Sequence, residues 1–138
     1  MNKKLIGIMA ILLLFFPITT SVIGANSERG LNILPGKING GFIVKATLDN
    51  SGDENITDIN WSITIKGGLL NRVNFTTRGT IELLEAQASA LLFTKGIIVG
   101  FGKVTITVSA TASGVEEVSE TIQGFLFLIY IYTMPILD

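Results

Sequence analysis

The amino-acid sequence predicts an all-β fold, an antiparallel β-sandwich that follows an apolar N-terminal segment. Apolar and polar residues alternate with period two in several segments between residues 42 and 110, which is the pattern of half-buried strands. Turn-forming Gly, Asn and Asp residues separate these segments. Because each predicted strand has one apolar and one polar face, we expect antiparallel sheets that are covered on one side only.

The centre of the predicted sandwich is a strand, a turn and a second strand within residues 40–65. The residues from Asn50 to Asp53 favour the turn, so we interpret the segment as a hairpin. Trp61 is interpreted as a core residue of the sandwich and not as a platform for a ligand. The residues predicted to face inward are Phe42, Val44, Ala46 and Leu48 in the first strand and Ile59, Trp61, Ile63 and Ile65 in the second.

Shorter and less regular segments follow this hairpin. Leu69–Leu70, directly after two glycines, is interpreted as a short crossing strand, and residues 79–83 as a further strand. Residues 71–78 fit either a loop or an edge strand. Residues 85–87 are predicted to form a turn despite good helix propensity around them, because alternating segments flank them on both sides.

The clearest strand runs from Lys103 to Ala110 and places Val104, Ile106 and Val108 on its inner face. The glycine-rich residues 96–102 before it lack the GK[ST] ending and the following helix of a phosphate-binding loop, so they predict a bend in a sheet. A turn at 111–114 and a final strand at 115–124 follow. A bulge near Glu116–Glu117 would restore the alternation of that last strand.

The two ends of the chain are the most apolar parts. Residues 1–25 combine a basic start, a short apolar run and the small-residue ending Ile23–Ala25, which is typical of a secretory signal peptide. An uncleaved signal anchor is the alternative, since the segment is long enough to cross a bilayer as a helix. Either reading places the remaining chain outside the cytoplasm, as a secreted or membrane-anchored protein. The predicted divisions are 1–25 signal peptide or anchor, 26–39 linker and first edge strand, 40–124 β-sandwich, and 125–138 apolar C-terminal strand or tail.

The C-terminal residues 125–138 contain an uninterrupted apolar and aromatic run that is too short for an ordinary membrane-spanning helix. Three readings stay open: a strand or tail buried against the sandwich, a surface that docks on a membrane or a protein, and a terminal segment that is processed. The candidate partner or membrane contacts are Phe125, Phe127, Tyr130 and Tyr132.

Composition argues against several function classes. The chain of 138 residues carries 10 basic and 11 acidic side chains, so it has no electrostatic footprint for nucleic acid. It contains no His and no Cys, which removes the commonest general base, the commonest zinc ligands and any thiolate chemistry. We therefore expect a non-enzymatic protein without a catalytic site, a cofactor or a small-molecule substrate.

Four acidic residues surround the central turn: Asp49, Asp53, Glu54 and Asp58. A loose surface calcium site is one reading, since calcium accepts flexible sets of oxygen ligands. The spacing departs from that of an EF-hand loop, because Gly52 occupies the fourth position where the motif needs glycine at the sixth. A solvated turn is the favoured reading, so no metal site is predicted.

Asn-x-Ser/Thr sequons, which accept N-linked glycans in glycosylating hosts, begin at Asn55, Asn60 and Asn74. Asn55 lies in a predicted turn and Asn74 near a predicted loop, so these two are the candidate glycosylation sites. Asn60 lies on a predicted strand and is expected to be less accessible.

The pattern of an extended strand, Asn-x-Gly, a short acidic turn and an aromatic-centred strand resembles CARDB-like and related immunoglobulin-like domains of prokaryotic cell-surface proteins. In this chain the pattern comprises Leu48, Asn50, Gly52, Ile59 and Trp61. Residues 100–110 look like the penultimate strand of such a domain, and the resemblance covers roughly residues 30–124. It implies an immunoglobulin-like sandwich of about seven strands with adhesion or scaffolding roles and no catalytic residues.

The expected function is that of an exported or cell-surface β-sandwich module for adhesion, structural or protein–protein interaction roles. One alternative is a membrane-tethered accessory subunit, anchored by its N-terminal helix and presenting the apolar C-terminal segment as a partner surface. A less favoured alternative is a carbohydrate-binding module, since the chain has only one Trp. The expected partner is a surface protein or a membrane, and not a nucleic acid.

Overall fold

The computed structural model of this chain describes residues 30–134, which form an all-β structure without an α-helix. The segments predicted as signal peptide or anchor, residues 1–25, lie outside the described residues. Within residues 30–134 no helix is long and apolar enough to cross a membrane. The strands are β1 (Leu31–Ile33), β2 (Lys45–Asn50), β3 (Ile56–Gly67), β4 (Val73–Leu84), β5 (Ser89–Phe93), β6 (Gly100–Ala112), β7 (Val115–Leu128) and β8 (Tyr130–Thr133).

The strands form two antiparallel sheets. The smaller sheet has three strands in the order β1-β2-β5, and the larger sheet has five strands in the order β4-β3-β6-β7-β8. Every pair of neighbouring strands is antiparallel, as the one-sided alternation predicted. β1 is an edge strand, in the segment predicted to contain one.

One hydrophobic core lies between the two sheets. Its residues follow period two along each strand, because successive side chains of a strand point to opposite faces. The alternation predicted for residues 59–65 and 103–110 is confirmed. Fully buried apolar side chains include Ala46, Leu48 and Leu92 from the smaller sheet, Val44 just before β2, and Ile59, Ile63, Ile65, Val104, Ile106, Val108, Ala110, Leu126 and Ile131 from the larger sheet.

The predicted central hairpin does not form. β2 pairs with β1 and β5, whereas β3 pairs with β4 and β6, so the two strands belong to different sheets. Residues 51–55 therefore cross from one sheet to the other. The buried Asn50 holds this crossing, because its Nδ2 donates hydrogen bonds to the carbonyls of Glu54 at 2.8 Å and Leu84 at 3.1 Å.

The first predicted strand begins later than its alternation suggested. Residues 42–43 form a bend, and β2 begins at Lys45. Gly41 causes this change of direction, since its φ is +134° and its backbone bonds to Ile131 in the other sheet. The prediction that Phe42 faces the core is therefore wrong, and the ring is exposed.

The segment after β3 also differs from the prediction. Leu69 and Leu70 lie in an exposed 3-10 turn and not in a crossing strand. Gly67 and Gly68 both have positive φ and reverse the chain at the end of β3. Residues 73–84 then form one continuous strand, because nearly every position pairs with β3 even where its own alternation is weak.

Two local predictions in the remaining chain are confirmed. Residues 86–87 form a turn between β4 and β5. Ala110 pairs with Val118 and Ala112 with Val115, so Glu116 and Glu117 together oppose the single residue Thr111. This arrangement is the bulge expected at Glu116–Glu117.

The C-terminal apolar residues are part of the larger sheet. β7 continues through Gly124 to Leu128, so the predicted division at residue 124 falls inside a strand. β8 returns along β7, and both Leu126 and Ile131 are buried. The outward side chains of the same segment, among them Phe127 and Tyr132, are exposed.

Trp61 lies in the core with 9% of its surface exposed and packs across its β4 neighbour Gly79. A Cβ added at Gly79 would lie 2.4 Å from Cζ2 of the Trp61 ring. We therefore expect Gly79→Ala to lower the free energy of unfolding by about 1–3 kcal/mol through overpacking. Urea denaturation measures this loss, with the exposed Thr80→Ala as the control, which should stay within about 0.5 kcal/mol of wild type. Equal midpoints for the two variants would contradict the packing of the ring on β4.

Candidate partner-binding surface

Three loops meet at one end of the two-sheet structure. They are the β3–β4, β5–β6 and β7–β8 connections, which all lie at this end because β3 and β7 finish here and β6 begins here. We call five of their exposed aliphatic side chains the apolar tip: Leu69, Leu70, Val99, Leu128 and Ile129. Ile97 in the β5–β6 connection is exposed as well.

The apolar tip is unusually open to solvent for aliphatic residues. Leu70 is 75% exposed, Val99 72% and Leu128 61%. Side chains from all three loops, together with Arg72 and Phe101, line a shallow cavity of about 380 Å³. Grouped apolar side chains of this kind mark contact surfaces far more often than single exposed residues do.

The backbone at the tip is also unusual. Leu70 and Leu128 have φ of +57° and +58°, a left-handed conformation that costs an ordinary L-residue about 1–2 kcal/mol. Leu128 and Ile129 form the two-residue connection of a hairpin, where Gly, Asn or Asp are the usual choices. At the other end of β7 the hairpin turn is the conventional Ser113–Gly114. Leu70 and Leu128 therefore occupy turn positions whose backbone conformation favours Gly, Asn or Asp over leucine.

Replacing these two leucines is expected to leave the fold intact. Asn tolerates the left-handed region better than leucine, and both side chains are exposed. We expect Leu70→Asn and Leu128→Asn each to leave the free energy of unfolding unchanged or to raise it by up to about 1 kcal/mol. The control is Leu83→Asn, at an exposed leucine in β4 whose φ is ordinary, and it should be neutral or destabilising. Urea midpoints that fall at positions 70 and 128 by more than at position 83 would contradict the prediction.

An aromatic band adjoins the tip on the outer face of the larger sheet. It consists of Phe101, Phe125, Phe127, Tyr130 and Tyr132, which the strand register places in two neighbouring rows. The ring of Phe101 is 5.3 Å from that of Phe125 and 5.7 Å from that of Phe127, both in edge-to-face geometry. Tyr130 and Tyr132 are 4.7 Å apart, and Phe42 contacts Tyr130. The aromatic rings therefore form two contacting groups on neighbouring strands directly behind the tip.

Farther from the tip the same outer face carries hydroxyl groups. The register aligns Thr76, Thr64, Thr107 and Thr121 in one row across four strands. Adjacent hydroxyl groups bond to each other, for example Ser62 and Ser109 at 2.8 Å. The aromatic band is thus confined to two rows of this face. A mixed polar row of Asn74, Lys66, Thr105 and Gln123 separates it from the rows of Thr and Ser.

Charge is also separated along the long axis. Three basic side chains, which we call the basic collar, lie beside the tip and the aromatic band: Lys66, Arg72 and Lys103. The acidic side chains of residues 30–134, apart from Glu120 in mid-sheet, lie toward the opposite end: Asp49, Asp53, Glu54, Asp58, Glu82, Glu85, Glu116 and Glu117. The tip therefore lies in a positive local environment, although the whole chain has a net charge of −1.

A second, open cavity of about 500 Å³ lies beside Trp61 and is lined by Asn60, Arg78 and Lys95 among others. Because Trp61 is almost completely buried, it offers no open ring face on which a sugar could stack. This groove therefore lacks the aromatic platform that a carbohydrate site would need.

Asn55, Asn60 and the acidic turn lie away from the tip, whereas Asn74 pairs with the collar residue Lys66 near the start of β4. Asn55, Asn60 and Asn74 are all exposed, including Asn60, whose strand position suggested less access. Asn55 accepts a hydrogen bond from the backbone N–H of Ala86 through Oδ1. Within residues 30–134 no group of three carboxylates is arranged to hold a metal ion.

The structure brings together the four aromatic residues singled out from the sequence and adds residues that were missed. Phe127, Tyr130 and Tyr132 are exposed, and Phe125 is half-buried. The missed residues are the apolar tip, Phe42, Phe101 and the basic collar. The sequence does contain one indication of the β7–β8 turn. The C-terminal aromatic residues occupy odd positions up to Phe127 and even positions from Tyr130, so the alternation shifts by one residue between them.

Comparison with known proteins assigns no family: the chain matches no protein-family model and no curated protein. The geometry and chemistry of the tip, the band and the collar are therefore the basis for a functional proposal.

Proposed function

We propose that this chain is a non-enzymatic, exported or cell-surface β-sandwich module of immunoglobulin-like type that binds a partner through its apolar tip. The N-terminal sequence pattern supports export, and the resemblance to CARDB-like domains supports an adhesion or scaffolding role. The lack of His and Cys supports a role without catalysis.

The observation that carries the proposal is the pair of exposed leucines in left-handed turns. Each leucine is unfavourable for the isolated fold in two ways: its left-handed backbone is strained, and its apolar side chain is exposed to water. Contact with a partner offsets both effects, because it removes the apolar surface from water. A role for Leu70 and Leu128 in binding accounts for their presence where Gly or Asn would suit the turns better.

The test is binding of the purified protein to native cell envelopes. We expect the double variant Leu70→Asn/Leu128→Asn to bind at least tenfold more weakly than wild type while it keeps its urea midpoint. Leu83→Asn removes an exposed leucine near the acidic end and serves as the matched control, which should bind like wild type. Equal binding of all three proteins would refute a role for the tip.

A second candidate is the tethered accessory subunit that uses residues 1–25 as an anchor. The aromatic band favours it, because β7 and β8 present their rings as a flat outer surface suited to a neighbouring protein. Intact mass of the native protein distinguishes the candidates. A mass that begins at Asn26 supports a released module, whereas retention of residues 1–25 together with resistance to alkaline washing supports the tethered subunit.

A further inference from the structure

We propose that the partner of the apolar tip is an anionic lipid bilayer surface, which the tip enters while the body of the molecule stays in water. This inference rests on the proposed function, since it names the partner of the same surface.

The first reason is the order of side-chain chemistry along the long axis. Aliphatic residues occupy the loops and aromatic residues the next two rows, and the rows behind them are polar, first a mixed row that contains Lys66 and then rows of hydroxyl residues. A bilayer presents its environments in the same order, from hydrocarbon through the interface to water. Tyr130 and Tyr132 lie at the level where amphipathic rings suit the interface.

The second reason is charge complementarity. Lys103 lies in the second aromatic row and Lys66 one row behind it, while Arg72 lies beside the tip. These long side chains can reach the headgroup level while the aliphatic residues enter the hydrocarbon. The acidic side chains at the opposite end are repelled by the same surface, so a negatively charged bilayer orients the molecule with its tip toward the lipid.

The third reason is that each tip loop presents separate aliphatic side chains around an open, shallow cavity. A bilayer adapts to such a surface without a shape-matched partner. Entry of one exposed leucine side chain into the hydrocarbon raises the partition coefficient of the protein onto vesicles about tenfold. Each cation close to an anionic surface raises it about fivefold.

The decisive experiment measures which end of the full chain meets lipid. The chain has no Cys, so Val99→Cys and Ser113→Cys each create a unique thiol, one at the tip and one in the hairpin turn at the opposite end of β7. Both thiols carry the same polarity-sensitive fluorophore. The vesicles contain equal parts phosphatidylglycerol and phosphatidylcholine, or phosphatidylcholine alone, with a spin-labelled lipid as quencher. Residues 1–25 are common to all the proteins, so any lipid binding of their own is shared, and the result is read from the differences between positions and between variants.

We expect a blue shift and quenching at position 99 with anionic vesicles, and neither at position 113. Leu70→Asn/Leu128→Asn should weaken the response at position 99 about 100-fold in lipid concentration. Lys66→Gln/Arg72→Gln/Lys103→Gln should weaken the response at position 99 by a similar factor with anionic vesicles. The response with vesicles of phosphatidylcholine alone should not change. The matched control Lys37→Gln/Lys45→Gln/Arg78→Gln, which removes three exposed cations outside the collar, should retain more of the wild-type response than the collar variant.

The membrane assignment would be overturned if the fluorophore at position 99 showed no blue shift and no quenching, or if positions 99 and 113 responded equally. If the leucine variants then still lose binding to native envelopes, and protease treatment of the envelopes abolishes wild-type binding, the partner is a protein and the proposed function survives. If the leucine variants bind envelopes like wild type, the proposed function fails as well.

Discussion

A chain that ends at Gly124 is expected to be unfolded. The truncation removes Leu126 and Ile131, which are fully buried between the sheets, and it leaves residues 100–103 of β6 without their β7 partners. Loss of a buried leucine or isoleucine side chain costs about 2–5 kcal/mol, so the two together cost about 4–10 kcal/mol. A domain of this size is stable by about 5–15 kcal/mol, and most or all of that stability would be lost.

Circular dichroism and urea denaturation of the truncated chain test this expectation. The control is a chain that ends at Met134, which retains β7, β8 and the hydrogen bond from the Met134 N–H to the Gln123 carbonyl. The control should unfold cooperatively, whereas the chain ending at Gly124 should show no transition. A cooperative transition with the same midpoint in both would mean that residues 125–134 are a dispensable tail.

Replacement of Asn50 by Ala is expected to lower the free energy of unfolding by about 3–5 kcal/mol, since each buried polar group left without a partner costs about 1–3 kcal/mol. Asn50 is fully buried at the end of β2. Its Nδ2 donates to the carbonyls of Glu54, Leu84 and Glu85, and its Oδ1 accepts from the Gly52 N–H at 3.1 Å. Because Leu84 belongs to the other sheet, this one side chain joins the two sheets.

Asn50→Asp removes the amide hydrogen-bond donors but keeps a side chain of nearly the same shape, so it tests the donors separately from the packing. The carboxylate keeps an acceptor for Gly52 but presents negative oxygen to three carbonyl oxygens, so at neutral pH this variant should be at least as unstable as Asn50→Ala. Asn60→Asp, at an exposed position, is the control and should change the free energy of unfolding by less than about 0.5 kcal/mol. Urea denaturation at one pH compares the variants. A stable Asn50→Asp would show that the amide donors do not hold the crossing.

Stability and binding are expected to depend on separate residues in this molecule. The core that lies between the sheets ends at Leu126 and Ile131, and the tip begins two residues beyond Leu126. Changes at Asn50, Gly79, Leu126 or Ile131 should alter folding, whereas changes at the exposed Leu70 and Leu128 should alter binding. The same C-terminal segment therefore contributes to both, with one face buried and the other exposed.

Several features of the fold follow from the sequence alone, because they depend on near neighbours. Period two places Ile63 and Val108 on the inner faces of their strands, and two residues against one produce the bulge at Glu116–Glu117. The turn at 86–87 is likewise local. The sequence also identified Phe125, Phe127, Tyr130 and Tyr132 as candidate contact residues, and the structure leaves the last three of them exposed.

The pairing of strands and the assembly of the tip were decided only by the tertiary structure. Alternation shows that residues 42–48 and 59–65 each have an inner face, but it carries no information on which strand lies beside which, so the pattern could not exclude a hairpin. Phe42 followed the inward pattern and is exposed because Gly41 redirects the chain. Leu70, Val99 and Leu128 are far apart in sequence, and each looks like a core residue by type. Long-range pairing brings them together at one end, where the three loops leave no opposing sheet to cover them.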